Sequence, residues 1–326
     1  MVTQNQQLCI DRTKENLRIY AVKQMSLHAP GIGGAVLPRA GEKFRVYNPQ
    51  QISMVEVVAP SLSSSLETIM EARQPAAKTL VNNFMPAMQH FDASDDGTIT
   101  LNLFRSNFRE WKGSLPWADQ YDSHLEKSLM RTPFNTAAIP VSSDGYFITP
   151  QRVQGRASHA GTLCLLNGMR YDRDLPGQAE RCFEDAVRDG TGFDLQDQDR
   201  RCVQLQLNVP YDKIKLPQMT GIVSSEPAIQ DYGYHIAYIA QIDLTAKEIV
   251  DAANEVYGDI GPQDKGRYVR VEFDKHVHPF EPDYLAKFSR DCIDTMAMTM
   301  QPILWLAGAN VFGEEWTKKI NFVTRR

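Results

Sequence analysis

The chain has 326 residues, 42% hydrophobic and 23% charged, with a net charge of −5 at neutral pH. That balance suits a globular chain with a large core and argues against a nucleic-acid binder, whose charge is usually basic and clustered. No apolar run reaches the roughly 18 residues that a membrane-spanning helix needs.

The polar stretch Met1–Asp11 lacks the apolar centre of a secretion signal. Cysteines at positions 9, 164, 182, 202 and 292 are widely spread and read as reduced thiols rather than a disulfide framework. The expectation is a cytoplasmic protein without nucleic-acid or membrane partners.

In chain order, residues 12–26 read as a short helix. A connector rich in Gly and Pro follows, His28 to Pro38. Its Gly31, Gly33 and Gly34 read as a loop, because the third glycine of a dinucleotide fingerprint is missing and no strand precedes it. Phe44–Val46 and Ile52–Val58 read as strands about a turn at Asn48-Pro49. Helical patterns run over about 65–73 and 76–90, with Ser64 and Glu67 as a capping box and Pro75 between the two. Residues 60–130 therefore resemble a helical insertion in one large domain spanning 1–326.

Residues 92–103 imitate a calcium loop through Asp92, Ser94, Asp96, Gly97 and Ile99. Position twelve is Leu103 instead of a bidentate Glu, so an Asp-Gly turn feeding a strand is the better reading. The segment 113–150 reads as irregular, at a length that suits a functional loop or lid. A helix is expected over 177–188 and a strand over 202–208, ending at Asn208-Val-Pro210.

In the last third, a strand over 234–243, a helix over 245–257 capped by Thr245 and Glu248, and a strand over 268–277 make a β-α-β unit. A helix over about 282–300 and an apolar tail bearing Trp305 follow. The expected fold class is α+β, with a mixed or antiparallel sheet core and surrounding helices.

The most informative chemistry is a trio of soft ligands: His159, then Cys164, then Cys182 on the expected helix. One imidazole and two thiolates can hold zinc or iron and leave a coordination position for water. Zinc deaminases use such a set with a nearby Glu that moves protons. Here Asp185, three residues after Cys182, shares its helical face, while Glu184 points away. The competing account makes Cys164 and Cys182 small buried hydrophobes.

A second cluster lies on the strand expected at 268–278. Tyr268, Arg270, Glu272, Asp274, His276 and His278 share one parity, and Asp274, His276 and His278 are a possible iron site. An amphipathic strand with one wet face explains the same pattern. His235, among Tyr232, Tyr234 and Tyr238, reads as a satisfied sheet histidine. No Gly-x-Ser-x-Gly elbow, phosphate-binding loop or His-Glu-x-x-His motif occurs.

Three stretches, in order, resemble the urea-carboxylase-associated protein family. They are Ala40-Gly-Glu-Lys-Phe-Arg-Val46; Cys182-Phe-Glu-Asp-Ala-Val187 through Leu205-Gln-Leu-Asn208-Val-Pro210; and Glu226-Pro-Ala-Ile, Gly233 and Ala240-Gln-Ile-Asp243. His159 and Cys164 fall where that family carries a His-Asp pair followed by a cysteine, with Ala160 in place of the Asp.

The resemblance implies a metal site of His159, Cys164 and Cys182, and hydrolysis of a C–N bond, since some members are paired subunits that deiminate carboxylated guanidine. The leading expectation is a metal-dependent hydrolase or deiminase of a small nitrogen-rich compound, holding zinc or iron. Asp185 or Glu184 would move protons, and Asn208, Glu226 and Asp243 would orient the substrate. Two alternatives stand beside it: a non-catalytic subunit or assembly protein, and an oxidative non-haem iron enzyme using Asp274, His276 and His278. A homo- or hetero-oligomer is expected.

Overall fold

The computed structural model describes residues 25–28, 52–61, 68, 84–93, 99–107, 110–111, 134–152, 162–167, 195–225, 233–257, 269–291, 300–313 and 316. The strands of the first half are β1 (Met25–His28), β2 (Ile52–Glu56), β3 (Phe84–Ala93), β4 (Ile99–Asn107), β5 (Phe134–Ser142), β6 (Tyr146–Ile148), β7 (Gln151–Arg152) and β8 (Leu166–Asn167). Then come helix α1 (Leu195–Leu207), β9 (Gln218–Ser225), β10 (Tyr234–Ile242), α2 (Ala246–Tyr257), β11 (Val269–Arg270), the short α3 (Phe273–His276), β12 (Val277–Pro279), α4 (Pro282–Asp291) and α5 (Met300–Phe312). The chain is α+β, with mixed sheets and helices packed against them.

The main sheet has the order β1-β9-β10-β5-β6-β12, and β8 pairs with β5 beside that path. Its centre is the parallel pair β5 and β10, in register from Phe134 opposite Tyr234 to Ser142 opposite Ile242. Both strands lack charged residues and are buried along nearly their whole length, as a parallel pair covered on both faces should be.

Pro140 explains why 113–150 reads as irregular, since proline cannot donate to a ladder and rarely sits in a central strand. Here β5 pairs with β8 at Ala137 and Ala138 and with β6 at Val141, and Pro140 falls between those two zones. The second sheet, β2-β4-β3, sets β2 parallel and β3 antiparallel to β4.

Alternation along β5 and β10 divides the core. Ala137, Ile139 and Val141, with Ala237 and Ile239, meet Leu285 and Phe288 of α4 and Ile303, Leu304 and Trp305 of α5. On the other face, Ala138, Ala240 and Ile242 meet Val203 and Leu207 of α1 and Ile249 and Val250 of α2. Further along that same face, Phe134, Ile236 and Tyr238 meet Met54, Met88, Leu101 and Leu103 of the second sheet. Full burial of each large side chain contributes about 1.5–3 kcal/mol.

The capping box of α2 forms. The Thr245 N–H donates to Glu248 Oε2 at 2.8 Å, and the Glu248 N–H donates to Thr245 Oγ1 at 3.3 Å. Asp144, in the turn between β5 and β6, adds a long-range cap by accepting the Ala246 N–H at 2.9 Å. Gly145 in that turn has φ +83°, where a side chain would be strained. The strand-helix-strand crossover expected to end at 268–277 instead runs from β10 through α2 to β12, because β11 pairs with β7 in a separate sheet. The two strands are parallel by their successive pairings, with β5 and β6 between them.

Several expectations are corrected. Residues 202–208 are the last part of α1, not a strand. Their Leu205-Gln-Leu207 alternation imitates a strand, but the buried set Gln196, Asp199, Cys202, Val203, Gln206 and Leu207 has helical spacing. Asn208, at φ 55°, ends the helix in the left-handed conformation common at helix C-termini.

Residues 84–90, expected within a helix, belong to β3, whose Pro86 suits an edge strand. The stretch read as a helical insertion thus contains β3 and β4. Residues 25 and 26, expected to end a helix, begin β1. The strand expected over 268–277 is broken by α3. The expected strand at 44–46 and helix over 177–188 lie outside the described residues. No helix among the described residues is long and apolar enough to cross a membrane.

Candidate functional site

Of the residues singled out from sequence, His159, Cys182, Glu184, Asp185 and Glu226 lie outside the described residues. Cys164, Asn208 and Asp243 are described. The Asn208 side chain donates to Ala252 O at 3.1 Å and so ties the end of α1 to α2. Asp243 is exposed beyond the end of β10, and its N–H donates to Lys213 O at 2.7 Å.

Cys164 is only 4% exposed and packs with Ala138, Ile148, Leu166 and Val203. Its thiol donates to Pro150 O at 3.3 Å. Apolar burial and a hydrogen bond that uses the thiol proton both favour the thiol over the thiolate. As placed, Cys164 is a buried thiol, and the other two members of the trio lie outside the described residues.

The proposed iron set is not assembled. Because α3 breaks the strand, Asp274 is exposed while His276 and His278 are buried. His276 Nδ1 accepts the Glu272 N–H at 2.7 Å. His278 Nε2 lies 3.0 Å from Thr149 Oγ1, and its Nδ1 lies 3.3 Å from the Tyr284 hydroxyl. The His278 ring packs against Phe288 and Phe147, with centroids 4.2 and 5.2 Å away.

Burial lowers the pKa of both histidines, that of His278 to about 4 with added repulsion from His276. At neutral pH, His278 is therefore an uncharged imidazole that joins β12, β6 and α4. Among the described residues, no group of three or more His, Cys, Asp or Glu can hold a metal ion.

A site not expected from sequence lies under α1. Asp199 has no solvent exposure, and burial raises its pKa to about 8. The Thr136 hydroxyl of β5 lies beside the carboxyl, the one influence that favours ionisation. Neither Asp199 oxygen nor Thr136 Oγ1 completes a well-formed hydrogen bond among the described residues. One turn earlier, buried Gln196 donates from Nε2 to Pro217 O.

The position is a seam in the core. Thr136 stands between Phe134, which packs on the second sheet, and Ala138, which packs under α1. Arg200, the next residue, turns elsewhere and stacks over the Tyr211 ring at 3.9 Å. Burying a charge without a partner costs several kcal/mol, so such a carboxyl keeps its proton at neutral pH. A proton held on a carboxyl in otherwise apolar surroundings equips the site for proton donation. The sequence signal for it was an Asp on the inward stripe of α1, visible only once 195–207 is read as helical.

No protein-family model matches the chain, and no curated protein does.

Proposed function

We propose that the protein is a hydrolase that breaks a C–N bond in a small nitrogen-rich compound, with Asp199 as the acid that protonates the leaving nitrogen. The observation that carries this reading is a carboxyl with no exposure and no completed hydrogen bond on either oxygen among the described residues. In hydrolysis water adds to the carbon as the C–N bond breaks; nitrogen leaves poorly as an anion, so Asp199 gives it a proton, and the proton shed by the water restores the acid. A carboxylic acid whose pKa lies near the working pH suits that task, and burial is the usual means of placing it there. Asp199 has no contact with solvent, so the substrate must displace part of its cover.

The steps of this reading are those of Asp199 and water. The trio His159, Cys164 and Cys182 is tested separately, by elemental analysis of the wild type and Cys164→Ser. About one zinc or iron per chain, lost in the variant, would add a metal to the site. Without such a metal, the reading rests on Asp199.

The experiment is ammonia or amine release from a panel of ureas, amides and amidines. Asp199→Asn should lose about 100-fold or more in kcat/KM, the usual scale for removing a general acid. Wild-type activity should decline as pH rises through about 8, where Asp199 ionises. A wild type inactive on the whole panel, or an Asn variant equal to it, would overturn the reading and leave a non-catalytic subunit as the better account.

A further inference from the structure

The same carboxyl constrains what can bind there. We infer that the seam between α1 and the main sheet is a binding site for a neutral amide- or urea-type group, held by two parallel hydrogen bonds to the Asp199 carboxyl. The inference rests on the site assigned above, but it concerns recognition, so binding and turnover test it separately.

Asp199 has no exposure, and the aliphatic and aromatic residues of two core clusters flank the position of Thr136. A lone carboxylate is unstable in such surroundings, so the group is a neutral acid. A neutral carboxyl offers one O–H donor and, beside it, one carbonyl acceptor. Neither is satisfied by a well-formed hydrogen bond among the described residues; the Thr136 hydroxyl lies beside the carboxyl and lowers its pKa without completing one. Buried polar groups almost always have partners, so among the described residues the seam lacks a group with the complementary pattern.

A primary amide or a urea has that pattern: a carbonyl that accepts and an adjacent N–H that donates. The two pairs close a ring of two parallel hydrogen bonds, and Thr136 is placed to add a third. A carboxylate ligand has no donor, so it can satisfy only the O–H. Arg200 does not change this balance, because its guanidinium lies over Tyr211.

The test is binding of acetamide, urea and acetate, followed by calorimetry or ligand-observed NMR, to the wild type, Asp199→Asn and Asp199→Leu. Asparagine keeps a donor and an acceptor side by side but has no acidic proton, whereas leucine keeps neither. Acetamide and urea should bind the wild type and the Asn variant within a few-fold of each other. They should bind the Leu variant at least about tenfold more weakly, the scale of losing hydrogen bonds to a buried partner. Raising the pH from about 6.5 to about 9.5, across the Asp199 titration near 8, should weaken binding to the wild type and leave the Asn variant unchanged.

Thermal unfolding checks that the Leu variant folds. If it does not, the contrast in pH response between wild type and Asn variant decides alone. No binding to the wild type, equal binding to the Leu variant, or acetate binding more tightly than acetamide would each overturn the inference. The first of these would assign the unsatisfied carboxyl to a trapped water instead. Binding that follows this pattern without turnover would sink the hydrolase reading and leave the recognition site standing.

Discussion

Asp199 and His278 impose opposite pH dependences on stability. The Asp199 pKa is raised from 3.8 to about 8 in the fold, so the folded chain keeps a proton that the unfolded chain releases. That contribution is complete below about pH 4 and is lost as pH rises to about 8, at up to about 1.4 kcal/mol per pH unit. For His278 the pKa falls from 6.5 to about 4, so its contribution is complete above about pH 6.5 and is lost as pH falls toward 4. Between about pH 4 and 6.5 the two slopes oppose each other, and between about 6.5 and 8 only Asp199 acts. Thermal unfolding should show Asp199→Asn gaining on the wild type from pH 5 to 8, and His278→Leu losing the acid sensitivity below 6.5. Profiles parallel to wild type would refute either assignment. Gly308 is a third residue with a sharp consequence, because a Cβ there would run into the ring of Trp316. That ring also donates from Nε1 to Pro282 O at 2.7 Å, linking the chain beyond α5 to the start of α4. Gly308→Ala should cost about 1–3 kcal/mol in denaturant unfolding, the usual penalty of overpacking. An unchanged midpoint would mean that the ring moves aside freely.

Among the elements, α2 was the most legible and α1 the least, for one shared reason. A capping box is local chemistry, so Thr245 and Glu248 could be read directly, and the structure pairs them as expected. Thr245→Ala should therefore cost about 1 kcal/mol, and circular dichroism with urea unfolding would measure it. No change would show that Asp144, which caps Ala246 from the preceding turn, suffices by itself. In α1 the inward stripe includes the polar residues Gln196 and Asp199, so the apolar positions that remain show alternation rather than helical spacing. The residue that makes the candidate site thus also hid the helix that carries it. In β5, Pro140 argued against regular structure, whereas 84–90 read as helix despite Pro86. An edge position accommodates Pro86, and a gap between two pairing zones accommodates Pro140. The strand expected at 268–277 failed differently: its alternation was real in sequence, but α3 turns His276 into the interior.

Across the whole molecule, β5 and β10 form the most deeply buried pair, with helices on one face and helices plus a second sheet on the other. Hydrogen exchange should be slowest at 134–142 and 234–242 and faster in the β2-β4-β3 sheet, which has two edge strands. Slower exchange in the smaller sheet would mean that it forms the more stable unit. By itself, the sequence determined what depends on near neighbours and on totals: the α+β class, β10, α2 with its cap, and the absence of any apolar run long enough to span a membrane. The tertiary structure alone decided which strands lie side by side, since the partners β5 and β10 are about a hundred residues apart and nothing in either segment encodes the other. It also decided the chemical character of Asp199, because a carboxyl's pKa depends on the water removed around it. The tertiary burial of α1 removes that water.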